Sequence, residues 1–158
     1  MVFLGNSDVL LDAKNRLAIP AKFRRNLDPE RDGTAWVVFQ GTPPDTLSLY
    51  PEKVFLRLVE KGESSLISDE DQRKFDQAFF PHGELLEPDG QGRILIPERL
   101  LQATGLSREV VVCGTRNRLE IWKRDVFRRH ESDSRERLPE LEARARKAYQ
   151  DSQRQPGR

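Results

Sequence analysis

Cysteine is nearly absent from this chain: Cys113 is the only one among 158 residues. That excludes an intramolecular disulfide framework and any multi-cysteine metal site. Histidine is scarce too. His82 and His130 are the only two, and neither has a metal-ligand companion at useful spacing. No apolar run approaches the roughly 20 residues that a membrane span needs. Residues 1–6 lack a basic region followed by an apolar stretch, so no signal peptide is expected. Gly90-Gln91-Gly92 is glycine-rich but far short of a phosphate-binding P-loop. No nucleophile stands with a base, and no acid pair calls for catalysis. The expectation is therefore a non-enzyme with no cofactor, no metal, no small-molecule substrate and no membrane partner, working in a reducing cytoplasm.

What the chain does have is charge. Charged residues make up 34% and hydrophobic residues 36%, enough for a real but modest core under a heavily charged surface. The net charge of +1 hides an asymmetry. Residues 12–25 hold Lys14, Arg16, Lys22, Arg24 and Arg25 against Asp12 alone, a local +4. Residues 51–88 carry a local −4 and residues 124–158 a local +3. One basic patch in a near-neutral chain fits an anionic partner at one site.

The chain also repeats itself. Asp12-Ala13-Lys14-Asn15-Arg16-Leu17-Ala18-Ile19-Pro20 is echoed 77 residues later by Asp89-Gly90-Gln91-Gly92-Arg93-Ile94-Leu95-Ile96-Pro97. Val37-Val38-Phe39-Gln40-Gly41-Thr42 matches Val110-Val111-Val112-Cys113-Gly114-Thr115, and Leu47-Ser48-Leu49-Tyr50 matches Leu119-Glu120-Ile121-Trp122. Three blocks in one order mark a duplicated unit.

Each copy reads alike. An apolar stretch (9–11, or 85–86) leads through a polar turn into a short strand (16–19, or 93–96), which predicts a β-hairpin. Pro20 and Pro97 end those strands and open short helices over 21–27 and 98–104, the second stopped by Gly105. Two more strands follow in each half, 36–40 with 47–50 and 110–113 with 119–122. Leu47 and Leu49, like Leu119 and Ile121, alternate with polar residues, so one face is buried. Between the halves, helices are expected over 51–61 and 69–80, the second opened by a Ser68/Asp71 capping box and carrying a Phe75, Phe79, Phe80 core stripe. In the tail a helix starts over 123–129, another follows Pro139 over 140–150, and 151–158 fray. Cys113 reads as a small buried hydrophobe. Each half is too small to bury much alone, so the two copies are expected to pair their strands around a pseudo-two-fold axis.

The two Asp-x-x-x-Arg loops are the candidate site. Asp12 with Arg16, and Asp89 with Arg93, can simply pair across a turn; such exposed pairs contribute on the order of 0–1 kcal/mol. Alternatively the arginines present their planar donor forks to phosphates or guanine edges. The first loop has Lys14, Lys22, Arg24 and Arg25 around it. The second has Arg93 and Arg99 balanced by Asp89 and Glu98.

The motif running from Asp12 through Pro20 into Ala21-Lys22-Phe23-Arg24, its second copy from Asp89 to Pro97, and Asn117-Arg118-Leu119-Glu120-Ile121-Trp122 together resemble the MraZ family of bacterial transcriptional regulators. The opening Phe3-Leu4-Gly5 fits as well, and the resemblance spans about residues 3–127. It implies an α+β fold of the double AbrB-like swapped-hairpin type, a β-rich pseudo-two-fold barrel with short edge helices and a C-terminal helix. The halves would be residues 3–50 and 80–122, joined by a helical linker 51–79 and followed by a charged tail 123–158. It implies a cytoplasmic, nucleoid-associated protein that forms a cyclic homo-oligomer. Its partner would be double-stranded DNA: upstream direct repeats before its own operon of cell-division and cell-wall genes, bound usually as a repressor. The DNA contacts would come from Lys14, Arg16, Lys22, Arg24, Arg25, Arg93 and Arg99. An antitoxin-like protein-interaction module on the same fold is the alternative. Two departures stand out. Asn15 replaces the usual glycine of the first motif, which a tight turn tolerates. Gln91 and Leu101 stand opposite Lys14 and Arg24, so the second loop is less basic in sequence.

Overall fold

A computed structural model describes residues 1–62 and 70–154. The chain divides into two units, Met1–Arg124 and Asp125–Arg158. The first is α+β and is built on antiparallel strands. Its strands are β1 (Asn6–Leu10), β2 (Arg16–Ala18), β3 (Trp36–Gln40), β4 (Leu47–Pro51), β5 (Glu84–Leu86), β6 (Arg93–Leu95), β7 (Glu109–Thr115) and β8 (Arg118–Lys123). Helices α1 (Ala21–Arg24), α2 (Pro29–Asp32), α3 (Glu52–Gly62), α4 (Glu70–Phe79) and α5 (Glu98–Thr104) lie between them.

Partner choice departs from the expected hairpins. The turns after β1 and β5 do close locally, but neither β1–β2 nor β5–β6 forms a ladder. β1 pairs with β7 of the other half, β5 pairs with β3, and β2 pairs with β6. The six-stranded sheet runs β1-β7-β8-β4-β3-β5, and β2-β6 form a separate two-stranded ribbon. Exchange of the two halves leaves both orders unchanged. At the centre of the ribbon Leu17 faces Ile94, its own counterpart; in the large sheet Ser48 faces Glu120. Both sheets are open, so neither by itself closes into the expected barrel.

The reason for the exchange lies in the core. Leu17 and Ile94 are fully buried, and their neighbours in the repeat are buried too: Ile19 with Ile96, Phe23 with Leu100, Leu47 with Leu119, Leu49 with Ile121. Each buried side chain of this size contributes about 1.5–3 kcal/mol. A single half offers only one member of each pair. Phe3 joins this core, meeting Phe23 edge-on and Trp36 at ring centroids 6.0 Å apart. The N-terminal segment can cross β7 because Gly114 has no side chain; a Cβ there would lie 2.5 Å from the Phe3 carbonyl carbon.

Several element boundaries correct the sequence reading. The helix expected over 21–27 is only Ala21–Arg24, and α2 is additional, capped by Asp28, whose carboxylate accepts from the Glu30 and Arg31 amides. α4 ends at Phe79 and passes into a 3-10 turn, Phe80–His82. Its aromatic stripe is not core: Phe79 is half-buried and stacks on Phe39 at 4.2 Å, and Phe75 and Phe80 are exposed. Ser68 and Asp69, where the capping box and the helix start were expected, lie outside the described residues, as do 155–158.

The C-terminal unit is one helix, α6 (Arg124–Arg154), not two segments separated at Pro139. Pro139 sits inside it and removes one backbone donor. The helix is exposed there, so water can satisfy the freed carbonyl. Pairs at helical spacing, Arg135–Glu131, Arg137–Glu140, Arg144–Glu140 and Arg146–Glu142, flank and span the proline. Among the described residues no helix is long and apolar enough to cross a membrane.

Candidate nucleic-acid interface

The two Asp-x-x-x-Arg loops fold alike. In the first, the Lys14 and Arg16 amides donate to Asp12 Oδ1, each at 2.9 Å, and Arg16 Nε donates to Asp12 Oδ2 at 2.6 Å. In the second, the Gln91 and Arg93 amides donate to Asp89 Oδ1 at 2.9 and 3.0 Å, and Arg93 Nε donates to Asp89 Oδ2 at 2.8 Å. Each turn needs one residue in the left-handed region: Asn15 at φ 60° and Gly92 at φ 72°. Both aspartates are held below the ordinary carboxylate range. For Asp12 the main cause is the Arg16 amide; for Asp89 it is the Arg93 side chain, which with the Arg93 amide brings the carboxyl down to about 2.

The ribbon brings the loops side by side. The Ile96 amide donates to the Asn15 carbonyl at 3.0 Å, and the Ile19 amide donates to the Gly92 carbonyl at 3.3 Å. Strand alternation does the rest. Leu17 and Ile94 point into the core, so Arg16, Ala18, Arg93 and Leu95 share the opposite face. In register, Arg16 faces Leu95 and Ala18 faces Arg93. Two arginines, each braced by its aspartate, thus lie diagonally on one outward face of a two-stranded ribbon.

The braces are not identical. The closest approach of Arg16 to Asp12 is through Nε, and neither Nη group of Arg16 donates a hydrogen bond among the described residues. Asp89 takes Nε and also Nη2 of Arg93, the latter at 2.7 Å. A free Nη pair can fork onto a phosphate or onto guanine O6 and N7.

The other sequence-predicted residues are placed as follows. Arg24 spans the two halves: Nε donates to the Ile19 carbonyl of its own half at 3.0 Å, and the guanidinium covers Gly92 of the other, where a Cβ would meet it at 2.8 Å. The second loop therefore has a cation that its own sequence window lacks. Lys22 and Arg99 occupy matching positions and act alike. Lys22 Nζ donates to the Asn6 carbonyl and lies over the Phe23 ring; Arg99 donates to the His82 carbonyl and pairs with Glu84 at 2.8 Å. Arg99 is thus tied to the start of β5 and largely neutralised. Lys14 and Arg25 are exposed, with no side-chain hydrogen bond or ion pair among the described residues. Sequence reasoning did not single out Leu95, which is 58% exposed in the middle of this face. Its signal was strand alternation about Ile94.

Elsewhere, Cys113 is buried on β7, and burial pushes its thiol up to about 11. No cluster of metal-ligating side chains occurs among the described residues.

A family model described as "MraZ protein, putative antitoxin-like" matches residues 2–78 and again residues 79–149. A protein of Carboxydothermus hydrogenoformans named "Transcriptional regulator MraZ" is 33% identical over 126 residues, covering 80% of this chain and 84% of that protein. One of the same name from Thermomicrobium roseum is 40% identical over 121 residues, covering 77% and 81%. Another from Bacteroides fragilis is 37% identical over 127 residues, covering 78% of each.

Proposed function

The chain belongs to the MraZ family, and from that premise we propose that it is a transcriptional regulator that binds specific DNA through the outward face of the β2–β6 ribbon. The observation that carries this reading is the pair of aspartate-braced arginines on that face. A two-stranded ribbon fits the major groove of B-DNA, where arginine forks read guanine. Lys14, Lys22, Arg24 and Arg25 supply charge for phosphates around it. Bracing fixes each guanidinium before contact, so less rotamer freedom is lost on binding.

The resemblance extends the reading. The protein acts in the cytoplasm, on the nucleoid, as a repressor of its own cell-division and cell-wall operon, and it grips upstream direct repeats as a cyclic homo-oligomer. Residues 3–50 and 80–122 are its two AbrB-like halves. The exchange of β1 and β5 between halves supports a swapped-hairpin arrangement. A ring would repeat the +4 window of residues 12–25 around one face, and tandem sites would then be held by avidity. An antitoxin-like interaction module is the second reading, supported by the family description.

A gel-shift titration on the DNA upstream of its own gene tests the proposal. Retardation by an oligomer should weaken steeply with salt, by about a thousandfold or more between 50 and 200 mM if six or more phosphates are contacted. Absent or salt-indifferent retardation favours the interaction module. Light scattering that finds only monomer at micromolar concentration removes the ring.

A further inference from the structure

We propose that Leu95 is a specificity-determining residue of this interface, which reads the C5 methyl group of a thymine beside the base contacted by Arg16. This rests on the DNA-binding reading above and goes further by naming the base and the side chain. Leu95 is 58% exposed, yet it stands directly opposite Arg16 on the charged face of the ribbon. Opposed residues of an antiparallel pair have Cβ atoms about 4.5–5.5 Å apart, whereas successive bases rise by about 3.4 Å. A side chain opposite Arg16 therefore reaches a base pair one or two steps away. Apolar contact with the thymine methyl is the readout such a side chain provides.

The repeat supplies an internal control. The position equivalent to Leu95 is Ala18, opposite Arg93, and both strands share the same pattern of half-buried, buried and exposed residues. Ala18 sustains that strand without bulk, so the ribbon does not need leucine for its fold. Leucine projects further than alanine from an equivalent site. The two halves of the interface are therefore unequal: one combines a guanidinium with an apolar probe, the other a guanidinium with a short side chain. A target site should depend on a thymine methyl near one arginine and not near the other.

The test uses the full chain and a duplex spanning the DNA upstream of its own gene. Each thymine in the protected segment is replaced in turn by deoxyuridine, which deletes only the methyl. The wild-type chain should lose about fourfold in affinity at one thymine per bound chain, the equivalent of one buried methyl-sized group. Leu95→Ala should bind about fourfold more weakly and become indifferent to that replacement. Ala18→Leu should gain a methyl dependence at a second position. Circular dichroism and sizing accompany each variant; the deoxyuridine scan on the wild-type chain and Ala18→Leu keep the test decisive if Leu95→Ala does not fold. If the wild-type chain does not retard the duplex, the DNA-binding reading and this assignment fail together. If it binds and Arg16→Ala releases it, but Leu95→Ala keeps the full methyl dependence, or no thymine shows one, the DNA reading stands and the Leu95 assignment falls. A smaller oligomer from Leu95→Ala, with methyl dependence retained, places Leu95 at a contact between copies and also overturns the assignment.

Discussion

Asp12 and Asp89 set the poise of the two arginines, and their acidity follows from what they accept. Asp89 takes two amides and the Arg93 guanidinium, so protonating it breaks several donors' partnerships at once. A carboxyl depressed in the folded state contributes stability that is present above the unfolded value and disappears as pH falls through the folded one. For Asp89 that window runs from the ordinary carboxylate range near 4 down to about 2. Carboxyl-detected NMR should place the Asp89 midpoint near 2 and that of Asp12 below the ordinary range, with loop amides shifting in step. A midpoint near 4 for Asp89 would show that the brace is not formed in solution.

At the same scale, the DNA-binding proposal makes Arg16 the stronger reader, since neither of its Nη groups donates a hydrogen bond among the described residues. Arg16→Ala should weaken binding to the native upstream DNA by roughly 1–3 kcal/mol if Arg16 reads a base. Arg93→Ala should cost less, because one Nη is already committed to Asp89 and Arg24 remains beside that loop. Counting charges in the sequence windows gives the same order, but by a weaker argument, since it leaves Arg24 in the first loop. Affinity at fixed salt, with melting and sizing to confirm an intact fold, decides the matter. A larger loss from Arg93→Ala reverses the assignment of roles.

At the scale of the elements, the loop around Gly92 is where backbone and side chain compete for space. Its φ of 72° is strained for alanine and most other residues with a Cβ, and that Cβ would meet the Arg24 guanidinium at 2.8 Å. Gly92→Ala should therefore destabilise the fold by about 1–3 kcal/mol and shift Arg24, with DNA affinity falling as well. Asn15 holds the equivalent turn at φ 60°, which asparagine accepts, so Asn15→Gly should leave affinity unchanged. Thermal melting and gel-shift titration of both variants check this. Equal behaviour of the two would mean that Arg24 is not held against the second loop.

At the scale of the whole first unit, neither half can complete its sheet alone. β1 needs β7, β5 needs β3, and the ribbon takes one strand from each half. Residues 1–62 and 70–124 made as separate chains should each be unfolded by circular dichroism. Mixing them should restore β-structure, at the cost of bringing two chains together. A half that melts cooperatively on its own would contradict this picture of the core.

Much was legible in the residues themselves. The duplication, the acid–arginine turns and the proline stops are local patterns, and local sterics and hydrogen bonding are enough to produce them. Asp12 bonds amides two and four residues away, so its loop depends on nothing distant. Which strand each turn serves is another matter. The segments before and after the turn read as a hairpin because nearby strands usually pair, yet β1 gains more by completing a sheet over the joint core than by folding back on β2. The placement of Arg24 on Gly92 and the exposure of Leu95 beside Arg16 likewise depend on contacts across the repeat. Separation in sequence hides such contacts. They arise only when two half-cores, each too small to exclude water, are buried against one another.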